Sequence, residues 1–305
     1  MWSRNKIIAA VSGGAGAAGL TATLVLALTA SPHVAKVKMV DRPTPTPTPT
    51  RSPSRTSTQL YSPFTGEPVS RLKPVLAVKI DNIVLARPQT GINSADLVYV
   101  IPVEGGLSRF MAVFSSHDPR VIGPVRSTRE DDIALLRQFG RPAFAFSGAQ
   151  PHLLPVVEHS RIVDLYANKP GIAGYYRDSS RIAPYNLFAR ASTLVAEARH
   201  ASIARNIGFT FGPLPPGGRS VRSKSVSYSA ASFTFTWSPG KHRWLVWMDG
   251  ARAMTTDAGQ MSAATVVIQY TRVISSRFRE WGNIPPPYAV SVGSGNALVL
   301  RDGKA

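Results

Sequence analysis

Residues 95–114 read ADLVYVIPVEGGLSRFMAVF, two short apolar runs rich in β-branched and aromatic residues, separated by Glu104, Gly105 and Gly106. Runs of roughly four to eight such residues bounded by Gly, Pro, Asn or Asp form strands, so strands are expected over 95–103 and 109–116. PVLAVKID (74–81) and AFAFSG (143–148) have the same make-up and extend the set. Helix signals are interleaved with them. TREDDIALLRQFG (128–140) offers Thr128 as N-cap, acids in the first turn, an apolar set of Ile133, Leu135 and Leu136, and Gly140 as terminator. LFARASTLVAEARHASI (187–203) lines Leu187, Ala191, Leu194, Val195 and Ala198 along one stripe and reads as a second helix. Strands mixed with helices give an α/β or α+β domain with a mixed sheet over residues 61–212.

Beyond residue 220 the pattern turns to strands. VSYSAASFTFTWS alternates, with Phe233, Phe235 and Trp237 on one face, and SPGK turns the chain into HRWLVWMDG, where Trp244, Val246 and Met248 alternate. That predicts a hairpin. ATVVIQYTRVI (264–274), YAVSVGSG and NALVLRDGK add strands, so a smaller, mostly β domain is expected over 220–305. Its aromatics read first as core and second as a sugar-stacking platform.

The chain has 305 residues, 44% of them hydrophobic, which is enough for two modest cores. It contains no cysteine. Disulfides, thiol nucleophiles, thiolate zinc sites and a lipid-bearing cysteine are thereby excluded. The formal charge is +18, of which +6 falls on residues 1–60, so +12 remains on residues 61–305. A field of that sign attracts nucleic acid, anionic lipid and phosphate-bearing wall polymers alike.

Export decides among those partners. Arg4 and Lys6 flank residues 7–30, an uncharged run rich in Ala, Gly, Leu and Val. At about 1.5 Å per residue it is long enough to cross a hydrocarbon core of about 30 Å. The basic flank assigns residues 1–6 to the cytoplasm and the folded domains to the outer side of a single-pass cell-membrane anchor. A cleaved signal segment is the alternative, in which case the protein is secreted. Gly14, Gly16 and Gly19 spell GxGxxG, but without a preceding strand or a following acid the string is a chance match. PTPTPTPT (43–50) and the rest of the Pro/Thr/Ser-rich stretch over 31–60 read as an extended spacer. Outside the cell, anionic lipid and wall polymers replace nucleic acid as expected partners.

Polar residues cluster at strand ends, where sites are commonly built. Asp81 and Asn82 close one strand, Glu104 closes another, and GPVRSTR (123–129) leads into the first helix. Glu104 with Asp81 or Asp96 is a candidate acid/base pair of the kind that cleaves glycosidic bonds. The plainer reading has Glu104 paired with Arg109 or Arg126 and holding the Gly105–Gly106 bend. Arg87, Arg109, Arg126, Arg129, Arg177 and Arg181 are candidates for a fork-shaped receptor of phosphate or carboxylate, with Asn82 and Ser127 as further ligand contacts. Against that stands a set of structural salt bridges with Asp81, Asp96, Glu104 and Asp178. There is no GxSxG and no HExxH, and the histidines lack metal-ligand spacing, so neither a metal nor a cofactor is expected.

SPFTGEPV (62–69), KIDN with ARPQTGINSADLVYVIPVEGG and SRFMAVF (79–114), IGPVRSTR (122–129) and APYNL (183–187) occur in order. On these strings the chain resembles the YerB-like family of bacterial envelope proteins, often lipoproteins, whose domains have no established reaction. The resemblance implies an N-terminal domain followed by a smaller β-rich one over roughly 62–305. Val100 departs from it, standing where the family pattern has Glu, and so does the missing lipid-bearing cysteine. It also implies strands beyond the final RDGKA, which reads as a truncated end with an unpaired edge. The reading that results is an exported, membrane-anchored protein binding an anionic or glycan cell-wall polymer. A wall hydrolase using Glu104 and an envelope scaffold are the alternatives.

Overall fold

The computed structural model of the protein describes residues 6–12, 59–279 and 284–305. Six strands of the first half are β1 (Lys6–Ser12), β2 (Leu76–Asp81), β3 (Leu97–Pro102), β4 (Ser108–Phe114), β5 (Ala143–Phe146) and β6 (Val163–Tyr166). The second half adds β7 (Ser223–Ser227), β8 (Ser232–Ser238), β9 (Arg243–Met248), β10 (Thr265–Thr271), β11 (Val273–Ser275), β12 (Pro287–Ala289) and β13 (Ala297–Arg301). Its main sheet runs β13-β10-β1-β3-β4-β2-β5-β6. Neighbours are antiparallel from β13 to β2, while β2, β5 and β6 are parallel, so the sheet is mixed as the sequence predicts.

The sheet is apolar on both faces, which is why β2 and β4 are buried along their whole length. One face carries Val78, Ile80, Val100 and Phe110 against Phe233, Phe235, Trp244, Val246 and Met248 of the β8–β9 hairpin. Those hairpin aromatics are core, with Trp244 fully buried, and the sugar-platform alternative does not hold for them. The other face carries Ala77, Met111, Phe144 and Phe146 against Leu135, Leu136 and Phe139. The two halves therefore share a core as well as a sheet.

The first expected helix is α1 (Glu130–Leu136), running on as a 3-10 turn to Gly140, whose φ of 79° only glycine adopts without strain. Its cap differs from expectation. Thr128 is fully buried and donates to the Asp132 carboxylate at 2.8 Å, and Asp132 also accepts the Arg129 N–H at 2.8 Å. The side chain thus reaches back from within the helix. The second expected helix is shorter than its stripe, at Ala191–Glu197. Leu187–Arg190 form a strand instead, because Tyr175–Arg177 and Val121–Ile122 offer backbone partners on both sides. At the N-terminus Lys6–Ser12 pair in the sheet, whereas a membrane-spanning helix was expected from residue 7. The remainder of that segment and the spacer through residue 58 lie outside the described residues. Among the described residues no helix is long and apolar enough to cross a membrane.

Candidate functional site

Because β2 and β3 both pair antiparallel with β4, their C-terminal ends reach one corner of the sheet. Asp81 and Ile101 each lie opposite Arg109. The loop preceding α1 crosses that corner, held by Asp81 N–H to the Pro124 carbonyl at 2.9 Å and Arg126 N–H to the Lys79 carbonyl at 2.8 Å. Arg109, Arg126 and Arg129 are thereby gathered with Asp81 and Glu104.

Arg129 forks onto Glu104, with Nε to Oε1 at 2.6 Å and Nη2 to Oε2 at 3.0 Å. Arg126 Nε is 2.8 Å from Asp81 Oδ2 but off the line of a hydrogen bond. The Arg126 guanidinium also lies over the Tyr185 ring. Arg109 donates to the Ser127 carbonyl at 2.8 Å, while its buried Nε has no hydrogen-bond partner. Burial, with Arg129 and Arg126 adding repulsion, lowers the Arg109 guanidinium to about 10 despite Asp81 and Glu104. Burial alone pushes the Glu104 carboxyl up, yet the hydrogen bonds and charge of Arg129 outweigh it and hold it below its ordinary value. Three guanidiniums face two carboxylates here, a surplus of one positive charge in a mostly buried corner.

Below this lies a second charged layer. Lys79 Nζ and Asp132 Oδ1 are 2.7 Å apart, and both side chains are completely buried. Beside them burial, reinforced by the charge of Asp132, pushes the Asp131 carboxyl up to about 7. Its Oδ2 faces the Ala289 N–H of β12 at 3.4 Å. Sequence reasoning missed this layer by reading Glu130, Asp131 and Asp132 as ordinary first-turn acids. The signal was Lys79, a charge in the middle of a continuous apolar strand, which is almost never buried unless paired.

Glu104 connects the corner to an open cleft. The cleft, some 580 Å³, lies between the Glu104–Gly106 turn, Tyr228 and Ser229, the strand β11 and the Ile284–Pro287 segment. The bend behind it needs glycine. Gly106 has a φ of 72°, and a Cβ there would lie 1.8 Å from the Ser229 hydroxyl. The rim is anchored to α1 by Glu130, which accepts from the Ser276 hydroxyl at 2.7 Å and pairs with Arg277 at 2.6 Å.

Not all the expected site residues meet. Asp96 lies at the opposite end of β3 from Glu104, about 20 Å away for six residues of strand. It accepts the Ser115 and Ser116 N–H groups at 2.6 and 2.9 Å. That separation rules out a carboxylate pair with Glu104, since such pairs sit roughly 5–10 Å apart. Asp81 does share a corner with Glu104, but each is committed to a guanidinium. The six arginines split as well. Arg87 bridges to Asp249 at 2.8 Å, Arg177 donates to the Asn186 side chain, and Arg181 donates to the Ala86 and Pro88 carbonyls. Arg87 and Arg181 sit on connecting segments and Arg177 ends the strand Tyr175–Arg177, and all three hold structural contacts away from the corner. Asn82 is a strut, bonded to Ser108, Gln89 and Arg87. Ser127 contributes a carbonyl to Arg109.

A mixed sheet whose strand-end corner is charged, followed by a mostly β second half in the same core, is a two-part architecture. The family model "Protein of unknown function (DUF3048) N-terminal domain" matches residues 64–204, and its C-terminal counterpart matches residues 224–305. The chain belongs to this family. It is similar to the protein named "Putative lipoprotein YerB" from Bacillus subtilis (strain 168), at 41% identity over 88 residues. That match spans 28% of this chain and 26% of the relative. The crystal structure of the YerB protein from Bacillus subtilis has the same fold, with a TM-score of 0.62 at 20% identity, covering 80% of this chain and 84% of that one.

Proposed function

We propose that the protein is a membrane-anchored envelope protein that binds an anionic wall polymer at the charged corner, where Arg126 is the most exposed guanidinium. The observation that carries this is the surplus of guanidinium over carboxylate among Arg109, Arg126, Arg129, Asp81 and Glu104. Phosphate and carboxylate groups are what a planar guanidinium recognises in bidentate geometry. Arg126, with a side chain 23% exposed, is the member open to a ligand. The +12 on residues 61–305 supplies the long-range attraction. The relative's name, "Putative lipoprotein YerB", supports an envelope location. This chain has no cysteine to carry lipid, so the anchor in this reading is residues 7–30. A hydrolase is disfavoured, because Glu104 and Asp81 are each engaged by a guanidinium and Asp96 lies at the far end of β3, which leaves no second carboxyl free to act as the proton donor.

Retention on purified wall fractions tests the reading. The full chain is expected to be retained at low salt and released at high salt, and Arg126→Ala to lose most of the retention. No retention at low salt, or full retention of Arg126→Ala, sinks it.

A further inference from the structure

The main sheet is assembled from two halves of the chain that do not touch edge to edge. β3 from the first half and β10 from the second present facing edges, and one strand fits between them. Lys6–Ser12 fill that place, antiparallel to both, pairing Lys6 through Ser12 with Thr271 through Thr265, and Ala9 through Ser12 with Val100 through Leu97. A strand in this position satisfies backbone donors and acceptors on two sides, whereas an empty one leaves two open edges in the middle of a sheet.

We propose that this gap is a strand-acceptor site, in which an extended, uncharged segment of another exported protein adds to the sheet between β3 and β10. This rests on the anchor reading above. Residues 7–12 cannot lie in a bilayer and pair with β3 at once, so anchoring through residues 7–30 vacates the gap. The chemistry of the occupant follows from the walls. LVYVIP of β3 and TVVIQYT of β10 contain no charged residue, and Val100, Val266 and Ile268 are buried. A charged residue entering between them would lose its water with nothing to pair with. The backbone ladder supplies affinity and the apolar walls supply selection, as in other cases of strand addition. The segment IIAAVS, made only of apolar and small uncharged residues, is the template for what fits.

A labelled peptide of sequence KIIAAVS with a solubilising tail provides the probe, and the full chain provides the receptor. In Ala10→Pro the resident strand loses a ladder hydrogen bond on one side or the other, and the variant should bind the peptide saturably at one to one. In solution the wild-type chain should bind it about tenfold more weakly or worse, because its own tethered strand competes at high effective concentration. Wild-type chain inserted in phospholipid vesicles should bind as well as Ala10→Pro, with no substitution involved. A peptide N-methylated at alternate residues should fail in every case. Binding in neither the variant nor the vesicles overturns the proposal. So does equal binding of the N-methylated peptide, which would mean apolar adhesion, and so does a wild-type dimer whose subunits exchange Lys6–Ser12, which would make a second copy the occupant. If Ala10→Pro binds while the vesicle-mixed chain neither inserts nor binds, the strand site stands and the anchor reading fails.

Discussion

Asp96 immediately precedes β3 and Glu104 follows its last residue by two, so one strand carries an acid at each end in opposite surroundings. Asp96 is buried among the Ser115 and Ser116 hydroxyl and N–H groups, with no cation paired to it among the described residues, and burial outweighs those hydrogen bonds to push its carboxyl up. Glu104 is partly open to the cleft, and Arg129 pulls its carboxyl down. Desolvation acts on both. What separates them is whether a guanidinium is within reach, and the loop before α1 delivers guanidiniums to one end of the sheet only. The Asp96 end is a structural clasp between the start of β3 and the end of β4, while the Glu104 end is a charged corner beside open space.

The corner end should be the more fragile when a cation is removed. Lys79→Met leaves Asp132 completely buried without its cation, and the expected loss is about 3–5 kcal/mol, read as a lowered midpoint in urea unfolding. A loss under 1 kcal/mol would mean that Asp132 is hydrated and that the second layer is not part of the core. At the other end Asp96→Ala strands the N–H groups of Ser115 and Ser116, with an expected loss of about 3 kcal/mol. Were this variant neutral, water would be replacing the carboxylate and the clasp would have no structural role.

Much of this was legible in the sequence. Six of the eight strands of the mixed sheet and the β8–β9 hairpin follow from short β-branched runs and from strict alternation of Phe233, Phe235, Trp244, Val246 and Met248, whereas β1 was read as the start of a membrane span and β6 was not read as a strand. Leu187–Arg190 did not follow, since a stripe with helical spacing became a strand where two partner strands were waiting. Site legibility stopped at the same limit. Arginines at strand ends could be named as candidates, yet pairing register decides which ones meet. Asp81 and Ile101 both fall opposite Arg109, which gathers three of the six, and Asp96 falls a full strand length away from Glu104. The Lys79–Asp132 pair lay in plain view as a charge inside an apolar run, but its partner is set by where the loop crosses the sheet.

Beneath the corner, Asp131 sharpens the contrast, being an acid raised by burial at the end where cations are plentiful. Its carboxyl stands at about 7 in the folded protein against about 4 in an unfolded chain, so between these values the folded state binds more protons. Stability contributed by this group is present at low pH and is lost as pH rises toward 7. Asp131→Asn should therefore be more stable than the wild type by about 2 kcal/mol at pH 8 and close to it at pH 4. Thermal unfolding across that range checks it, and a difference that does not change with pH would show that Lys79 is shared between Asp131 and Asp132.

The two ends of β3 can also be set against each other directly. Glu104 has a lowered folded value, so its stabilisation is present above the unfolded value near 4 and is lost as pH falls through the folded one. Glu104→Gln should cost about 1–2 kcal/mol at pH 7, the worth of one charge-assisted fork on a partly exposed group, and almost nothing at pH 3. Asp96 has a raised folded value, so its contribution runs the other way, diminishing as pH rises. Asp96→Asn, which keeps the shape of the clasp, should therefore gain on the wild type with rising pH while Glu104→Gln falls behind it. Opposite slopes in the two variants would follow if cation proximity alone distinguishes the ends. Parallel slopes would mean that Arg129 does not hold the Glu104 carboxyl down in solution, so that burial governs both ends of the strand alike.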